Sequence, residues 1–137
     1  MSMNTARILH AMFRVGDLDR SVDFYTQVLR MRVLRTYDNP KEQFSLTFLG
    51  YGDESKTCVL ELTYNYGVDD YDPGNAYGHI AIGVEDCEQA CADIAARGGE
   101  VTYGPATMEG LNETIAFVKD PDGYQIELVE RPAAWLS

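Results

Sequence analysis

The two histidines of this chain each open a copy of one pattern, and this internal repeat strongly limits the possible folds. In His10-Ala-Met-Phe-Arg-Val-Gly-Asp17 and in His79-Ile-Ala-Ile-Gly-Val-Glu-Asp86, a valine follows the histidine by five residues and an aspartate by seven. Each copy ends in an apolar segment with a single acid, Leu60-Glu61-Leu62 or Ile126-Glu127-Leu128. The histidines lie 69 residues apart and the glutamates 66, which predicts a duplicated structural unit.

Hydrophobic periodicity predicts the order β-α-β-β-β in the first copy. The helix, residues 18–29, carries Leu18, Val22, Tyr25 and Leu29 at helical spacing, and Asp17 is its predicted N-cap. The predicted strands are residues 8–14, 31–37, 43–50 and 57–64.

The second copy repeats this order after a linker rich in Asn, Asp, Gly and Pro. Its helix, residues 87–97, begins after Asp86, and Gln89 stands where a capping box requires it. Its predicted strands are residues 77–84, 100–103, 113–119 and 124–130. We therefore predict an α+β fold of two tandem βαβββ modules, whose sheets curve around a metal site. The modules would be residues 1–66 and 77–137, joined by residues 67–76.

Composition excludes several classes of partner. The net charge of −11 argues against binding to nucleic acid or to an anionic membrane surface. No apolar run approaches the length of a membrane span, and the N-terminal residues contain no apolar signal core. The odd, sparse cysteines (Cys58, Cys87 and Cys91) suit a reducing compartment, and Cys87 and Cys91 are interpreted as buried packing residues. We expect a cytoplasmic protein.

The repeated His and Glu residues predict a metal site. Strand side chains alternate between faces, so Glu61 points away from Leu60 and Leu62, and Glu127 points away from its apolar neighbours. A carboxylate in a cleft is costly unless it is paired or metal-bound. A single His or Glu on a strand is usually structural, but one of each in both copies indicates ligands of one divalent metal: His10, Glu61, His79 and Glu127.

Several longer segments are specific enough to indicate a family. They read His10-x-x-x-Arg14-Val-Gly-Asp-Leu-Asp-Arg-Ser-Val-Asp-Phe-Tyr25, Leu60-Glu-Leu-Thr-Tyr-Asn-Tyr-Gly67, Tyr77-Gly-His-Ile80 and Ala116-Phe-Val-Lys-Asp-Pro-Asp-Gly-Tyr-Gln-Ile-Glu127. These segments resemble glyoxalase I, the lactoylglutathione lyases of the vicinal-oxygen-chelate superfamily. The resemblance runs from about residue 7 to residue 130.

The resemblance implies a homodimer in which each metal site is shared between two chains. The same four residues, His10, Glu61, His79 and Glu127, match the family's metal ligands. The compact length, and His rather than Gln at position 10, resemble the bacterial-type enzymes that use Ni²⁺ or Co²⁺ in preference to Zn²⁺.

The resemblance also implies the reaction. Glutathione, the co-substrate, forms a hemithioacetal with methylglyoxal, and the enzyme isomerises it to S-lactoylglutathione in a methylglyoxal detoxification step. Glu127 would act as the catalytic base, with Glu61 as its near-symmetric counterpart. Arg14 and Asn65 match residues that bind the thiol co-substrate in the family. Glutathione is anionic, and Arg14 would supply the local positive charge that its binding needs.

Two departures from the family pattern leave part of the substrate site open. First, the basic residues that zinc-type relatives place before the second His and near the loop 104–112 are absent; Asn75 and the stretch Ala106-Thr-Met-Glu-Gly-Leu stand there instead. Second, Arg30 stands where relatives usually carry Gly. The anchor of the glycyl carboxylate is therefore not assigned, and trypanothione or bacillithiol remain alternative thiols.

Other functions on this scaffold remain as alternatives. One is another vicinal-oxygen-chelate enzyme: an acyl-CoA epimerase, a thiol transferase acting on an antibiotic, or an iron-dependent ring-cleaving enzyme. Another is a metal-free drug-binding protein on the same fold. A fourth ligand argues against the ring-cleaving enzymes, whose relatives usually use two His and one Glu. It also argues against the drug-binding protein, whose relatives generally lack the set.

Overall fold

The two copies of the pattern form two compact units in the computed structural model, which describes residues 3–137. The units are Met1–Tyr71 and Asp72–Ser137, so the division falls within the predicted linker 67–76. Each unit contains one four-stranded sheet and one main helix, which confirms the predicted α+β fold of paired βαβββ modules. The module limits 1–66 and 77–137 stay predictions, and residues 1 and 2 lie outside the described residues.

The first unit follows the predicted order closely. Its strands are β1 (His10–Arg14), β2 (Arg32–Asn39), β3 (Phe44–Gly50) and β4 (Val59–Asn65). They lie in the order β1-β4-β3-β2, with β1 parallel to β4 and the other pairs antiparallel. The first and last strands of the unit are therefore neighbours, which brings the start of the repeat beside its end.

The second unit has the same topology. Its strands are β5 (Ile80–Val84), β6 (Glu100–Met108), β7 (Glu113–Lys119) and β8 (Gln125–Glu130), in the order β5-β8-β7-β6. Strand β5 is parallel to β8, as β1 is to β4. The equivalent residues of the two copies therefore occupy equivalent places in the two sheets.

The helix of the first unit differs from the prediction of a regular helix over residues 18–29. It is an α-helix, α1, only over Leu18–Asp23, and continues as a wider π-helical turn over Phe24–Val28. The Leu29 N–H reaches back five residues to the Phe24 carbonyl. The Thr26 hydroxyl donates to the Val22 carbonyl at 2.7 Å and so competes with the regular helical hydrogen bonds.

Strand β6 is longer than predicted. The sequence indicated a strand over residues 100–103, but pairing with β7 continues to Met108 with two register shifts. Gly104 adopts a left-handed backbone (φ 80°), and a Cβ there would lie 2.6 Å from the Ile115 carbonyl oxygen. Only glycine fits this close approach. Gly104 and Pro105 interrupt the alternation of side chains between the two faces, but the strand continues beyond them.

One face of each sheet is buried against its helix. In the first unit Leu60 and Leu62 are buried, and in the second, Ile126 and Leu128 are buried with helix α2 (Cys87–Ala96) packed over the sheet. Apolar residues on alternate positions therefore fix which face of each strand remains accessible. No helix among residues 3–137 has both the length and the apolar character needed to cross a membrane.

Candidate metal centre

The first predicted His–Glu pair forms across two neighbouring strands. His10 begins β1 and Glu61 lies in the middle of the adjacent parallel strand β4. His10 Nε2 lies 3.2 Å from Glu61 Oε1, and the Glu61 side chain is only 14% exposed. Leu60 and Leu62 point into the core, as the alternation predicts, and so leave the carboxylate on the opposite face.

The second His–Glu pair reproduces this geometry. His79 immediately precedes β5, and Glu127 lies in the adjacent parallel strand β8. His79 Nε2 lies 3.4 Å from Glu127 Oε1, and the Glu127 side chain is 18% exposed. Each unit therefore presents one imidazole nitrogen and one carboxylate oxygen at the same point on one face of its sheet.

An aromatic ring beside each histidine supports this arrangement, and sequence reasoning did not find these rings. The Phe48 ring meets His10 edge-on at 5.7 Å, and the Phe117 ring meets His79 edge-on at 5.3 Å. Phe48 is paired in register with Glu61, and Phe117 with Glu127. The two phenylalanines are thus equivalent residues that pack against the imidazoles.

The surroundings of the first pair include a further cation. The Arg35 guanidinium lies over the Phe48 ring at 3.8 Å and bonds to both carboxylate oxygens of Glu54, at 2.9 and 3.0 Å. The hydrogen bond to Glu54 raises the pKa of Arg35, and the Glu61 carboxylate adds to that effect. A guanidinium of this kind holds its charge beside the site at all physiological pH values.

The two copies differ at the positions around the equivalent rings and carboxylates. In the second copy, Tyr103 pairs in register with Phe117, as Arg35 pairs with Phe48. The Thr63 hydroxyl donates to Glu61 Oε2 at 3.0 Å, whereas the residue two positions after Glu127 is Val129. Both copies therefore have the histidine, the glutamate and the phenylalanine beside them. They differ in the residue paired with each phenylalanine and in the residue two positions after each glutamate.

The donor atoms fit a divalent transition metal. Imidazole nitrogen and carboxylate oxygen suit Ni²⁺, Co²⁺ and Zn²⁺, which take four to six ligands. Each unit supplies two such donors, and within residues 3–137 no group of three or more His, Cys, Asp or Glu side chains has metal-binding geometry. Each His–Glu pair can therefore serve as half of a site.

The predicted thiol-binding residues lie on the same face of the first sheet as His10 and Glu61. Arg14 ends β1 four residues after His10, and Asn65 ends β4 four residues after Glu61, so alternation places all four on one face. The Asn65 side-chain amide donates to the Tyr71 hydroxyl at 3.0 Å. A guanidinium and an amide thus lie at one end of the face that carries the His–Glu pair.

The three cysteines do not contribute to either pair. Cys87 and Cys91 are buried in α2, as predicted, while Cys58 is exposed just before β4. All three are free thiols. Burial raises the pKa of Cys87 to about 12, with a smaller contribution from Cys91, so this thiol stays protonated and is a poor metal ligand.

Comparison with known proteins assigns a family to this arrangement. Residues 7–128 match the model of the glyoxalase/bleomycin resistance protein/dioxygenase superfamily. The chain is 58% identical over 132 residues to a probable lactoylglutathione lyase from Vibrio cholerae, covering 96% of both chains.

Solved structures give the same result. The Leishmania major glyoxalase I, described as trypanothione-dependent, is 49% identical with a TM-score of 0.85, over 96% of this chain and 91% of that one. The Zea mays glyoxalase I is 46% identical with a TM-score of 0.88 over 91% of this chain. The present chain spans 44% of the maize chain, less than half of its length.

Proposed function

The chain belongs to the glyoxalase/bleomycin resistance protein/dioxygenase superfamily, and on this basis we propose that it acts as a lactoylglutathione lyase. The reaction is the isomerisation of the methylglyoxal–glutathione hemithioacetal to S-lactoylglutathione, which removes methylglyoxal. The observation that carries this proposal is the repeated His–Glu pair, at 3.2 and 3.4 Å, in a chain whose relatives over nearly full length are lactoylglutathione lyases.

The proposed metal ligands are His10, Glu61, His79 and Glu127. Their two nitrogen and two oxygen donors suit Ni²⁺ or Co²⁺, which we favour over Zn²⁺ because position 10 is His and the chain is compact. When bound, the cation supplies Lewis-acid stabilisation of the negative charge that develops on two adjacent substrate oxygens.

The proposed assembly is a homodimer with two shared sites. Each His–Glu pair offers only two ligands, so a complete site needs a second pair. In this proposal the second pair comes from the other chain, and the two-fold symmetry of the dimer generates two equivalent sites.

The catalytic base in this proposal is Glu127, with Glu61 as the equivalent group in the first copy. Glu127 takes the proton from C1 of the hemithioacetal and returns it at C2. A metal-bound carboxylate is a poor base, so Glu127 must loosen from its ligand position when the substrate enters. General-base catalysis contributes about 10²- to 10⁴-fold in rate. Glu127→Gln should therefore retain part of its metal affinity and lose most of its activity; near-normal turnover would reject the assignment.

Arg14 and Asn65 are the proposed contacts for the thiol co-substrate. Both residues lie on the face that carries His10 and Glu61. Because the net charge of the protein is −11, an anionic thiol needs a local cation such as Arg14 to bind. We favour glutathione; the trypanothione dependence of the Leishmania protein makes trypanothione the comparison to include. Arg14→Ala should raise KM for the hemithioacetal far more than it changes kcat; an unchanged KM would remove Arg14 from the site.

Metal replacement tests the whole proposal. The protein is stripped with a chelator, dialysed, and given Ni²⁺, Co²⁺, Mn²⁺ or Zn²⁺ before thioester absorbance is followed with methylglyoxal and either glutathione or trypanothione. We expect no activity in the stripped protein and the highest activity with Ni²⁺ or Co²⁺. Absence of thioester formation with every metal and with both thiols would overturn the proposed function.

Subunit complementation tests the shared sites. Each of His10→Ala and His79→Ala removes a ligand from both sites of a homodimer. In a co-expressed heterodimer of the two variants, one site carries both substitutions and the other carries none. We therefore expect activity to return in the heterodimer only. If each site took all four ligands from one chain, no activity would return.

We place this activity in the cytoplasm. Three free thiols, two of them buried in α2, suit a reducing compartment. Fractionation of the producing cells, followed by detection of the protein, tests this localisation directly; recovery outside the cytoplasmic fraction would reject it.

A further inference from the structure

We infer that Thr63 is a positioning residue that fixes Glu61 as a permanent ligand, and that the absence of its equivalent in the second copy leaves Glu127 free to move. This inference rests on the proposed metal centre. It assigns different behaviour to two carboxylates that the repeat makes equivalent.

The two oxygens of Glu61 face different partners. Oε1 lies 3.2 Å from His10 Nε2, the proposed metal-binding nitrogen, and Oε2 accepts a hydrogen bond from the Thr63 hydroxyl at 3.0 Å. Thr63 follows Glu61 by two residues on the same strand, so both side chains project from the same face. The hydroxyl therefore holds Oε2 and leaves Oε1 as the oxygen available to a metal.

The Thr63 hydroxyl is itself firmly placed. Thr63 is 9% exposed within β4, and its β-branched side chain has few accessible rotamers there. A hydrogen bond from a buried, rotationally restricted donor limits the rotation of the Glu61 carboxylate. Such outer hydrogen bonds typically change metal affinity by about 10- to 100-fold.

The second copy has no such donor at the equivalent place. Val129 follows Glu127 by two residues in β8 and is buried, but its side chain cannot donate a hydrogen bond. Among the residues that the structure describes, the Glu127 carboxylate contacts His79 Nε2 at 3.4 Å and accepts no hydrogen bond from a hydroxyl. Glu127 can therefore rotate away from a shared ligand position at less cost than Glu61.

Metal affinity measured on the stripped protein tests the role of Thr63 without an activity assay. Ni²⁺ binding is measured by competition with a chromophoric chelator for the wild type, Thr63→Val and Thr63→Ser. We expect Thr63→Val, which keeps the shape but lacks the hydroxyl, to bind Ni²⁺ about 10- to 100-fold more weakly. Thr63→Ser keeps the hydroxyl and should restore affinity close to the wild-type value. Thermal unfolding of each metal-free protein checks that the fold is retained, and Thr63→Ala provides a second variant without the hydroxyl.

The reciprocal substitution Val129→Thr tests the second half of the inference. A hydroxyl at position 129 would bond to Glu127 as Thr63 bonds to Glu61. We expect kcat to fall while Ni²⁺ affinity stays the same or increases. The absorption spectrum of the Co²⁺-loaded protein, which responds to ligand geometry, should change in both Thr63→Val and Val129→Thr.

The outcomes separate this inference from the proposed function. Wild-type Ni²⁺ affinity in both Thr63→Val and Thr63→Ala would overturn the inference and leave the metal centre intact. Equal losses in Thr63→Ser and Thr63→Val would also overturn it, because they would indicate lost packing rather than a lost hydrogen bond. An unchanged kcat in Val129→Thr would reject the mobility assigned to Glu127. Failure of the wild type to bind any metal would overturn the metal centre itself.

Discussion

At the scale of single residues, Arg30 shows why its position favours glycine. The residue adopts a left-handed backbone (φ 62°) immediately after the helical segment that ends near Leu29. This conformation crowds the Cβ of any residue except glycine and costs about 1–2 kcal/mol. Backbone geometry alone therefore favours glycine at this position.

Arg30→Gly should therefore stabilise the protein. The relief of strain exceeds the greater entropy that glycine loses on folding, about 0.5–1 kcal/mol, so we expect a net gain of about 0.5–1 kcal/mol in the free energy of unfolding. Urea denaturation of the metal-free protein measures this gain. Arg30→Ala keeps the Cβ and should show no gain; equal gains in both variants would attribute the effect to charge instead.

A second residue-scale prediction concerns alkaline pH. Burial raises the pKa of Cys87 to about 12 from an ordinary value near 9, so unfolding above about pH 9 releases a proton from this thiol. The contribution of Cys87 to stability is complete below pH 9 and is lost as the pH rises from 9 towards 12.

Urea denaturation at a series of pH values measures this effect. Cys87→Ala should lower overall stability by creating a cavity but should make the decline above pH 9 less steep. Cys58→Ala, which changes an exposed cysteine, should leave the decline as it is in the wild type. Identical slopes in the wild type and Cys87→Ala would contradict the prediction.

At the scale of secondary-structure elements, the start of each helix was predicted correctly. The Asp17 carboxylate accepts the Arg20 N–H, and the Asp86 carboxylate accepts the Gln89 N–H, both at 3.0 Å. Of the capping box proposed for Gln89, the bond from its backbone N–H to the Asp86 carboxylate is present, and its side-chain amide donates to Asp93 at 2.9 Å. Asp93 lies one turn further along the helix, where a side-chain hydrogen bond with Gln89 is favourable.

Removal of the second cap should destabilise the fold by a predictable amount. Asp86→Ala leaves the Gln89 N–H without its acceptor and should cost about 1 kcal/mol in the free energy of unfolding. Asp86→Asn retains an acceptor oxygen and should cost much less. Chemical denaturation of the metal-free variants gives both values; equal losses would show that charge, not the hydrogen bond, provides the stabilisation.

At the scale of the whole molecule, the two copies have diverged at the end of the site-bearing face. Arg14 in the first copy and Gly83 in the second each follow the histidine by four residues. A Cβ at Gly83 would lie 2.6 Å from Leu136 Cδ2, so the C-terminal segment occupies the space above this glycine. The first copy has a cation at this point, whereas the C-terminal segment covers the equivalent position of the second copy.

The position of this tail can be followed through the single tryptophan of the chain. Trp135 lies in the short 3₁₀-helix Ala133–Trp135, 5.1 Å from the Arg131 guanidinium. Gly83→Ala should displace Leu136 and change the Trp135 fluorescence, with little loss of stability because Leu136 is flexible at its tip. Gly110→Ala, where a Cβ meets nothing within 4 Å, is the matched control. Unchanged fluorescence in Gly83→Ala would show that the tail is not held by this contact.

Alternation and helical spacing are local properties of the chain, so they were enough to predict the order of the elements and the outward face of Glu61 and Glu127, while the longer motifs indicated the family. Which side chains lie beside the two glutamates became clear only from the pairing of the strands. Phe48 precedes Glu61 by 13 residues and Phe117 precedes Glu127 by 10, although both pairs are direct neighbours across strands. Strand register depends on loop lengths, bulges and packing across the whole sheet, which no local pattern encodes.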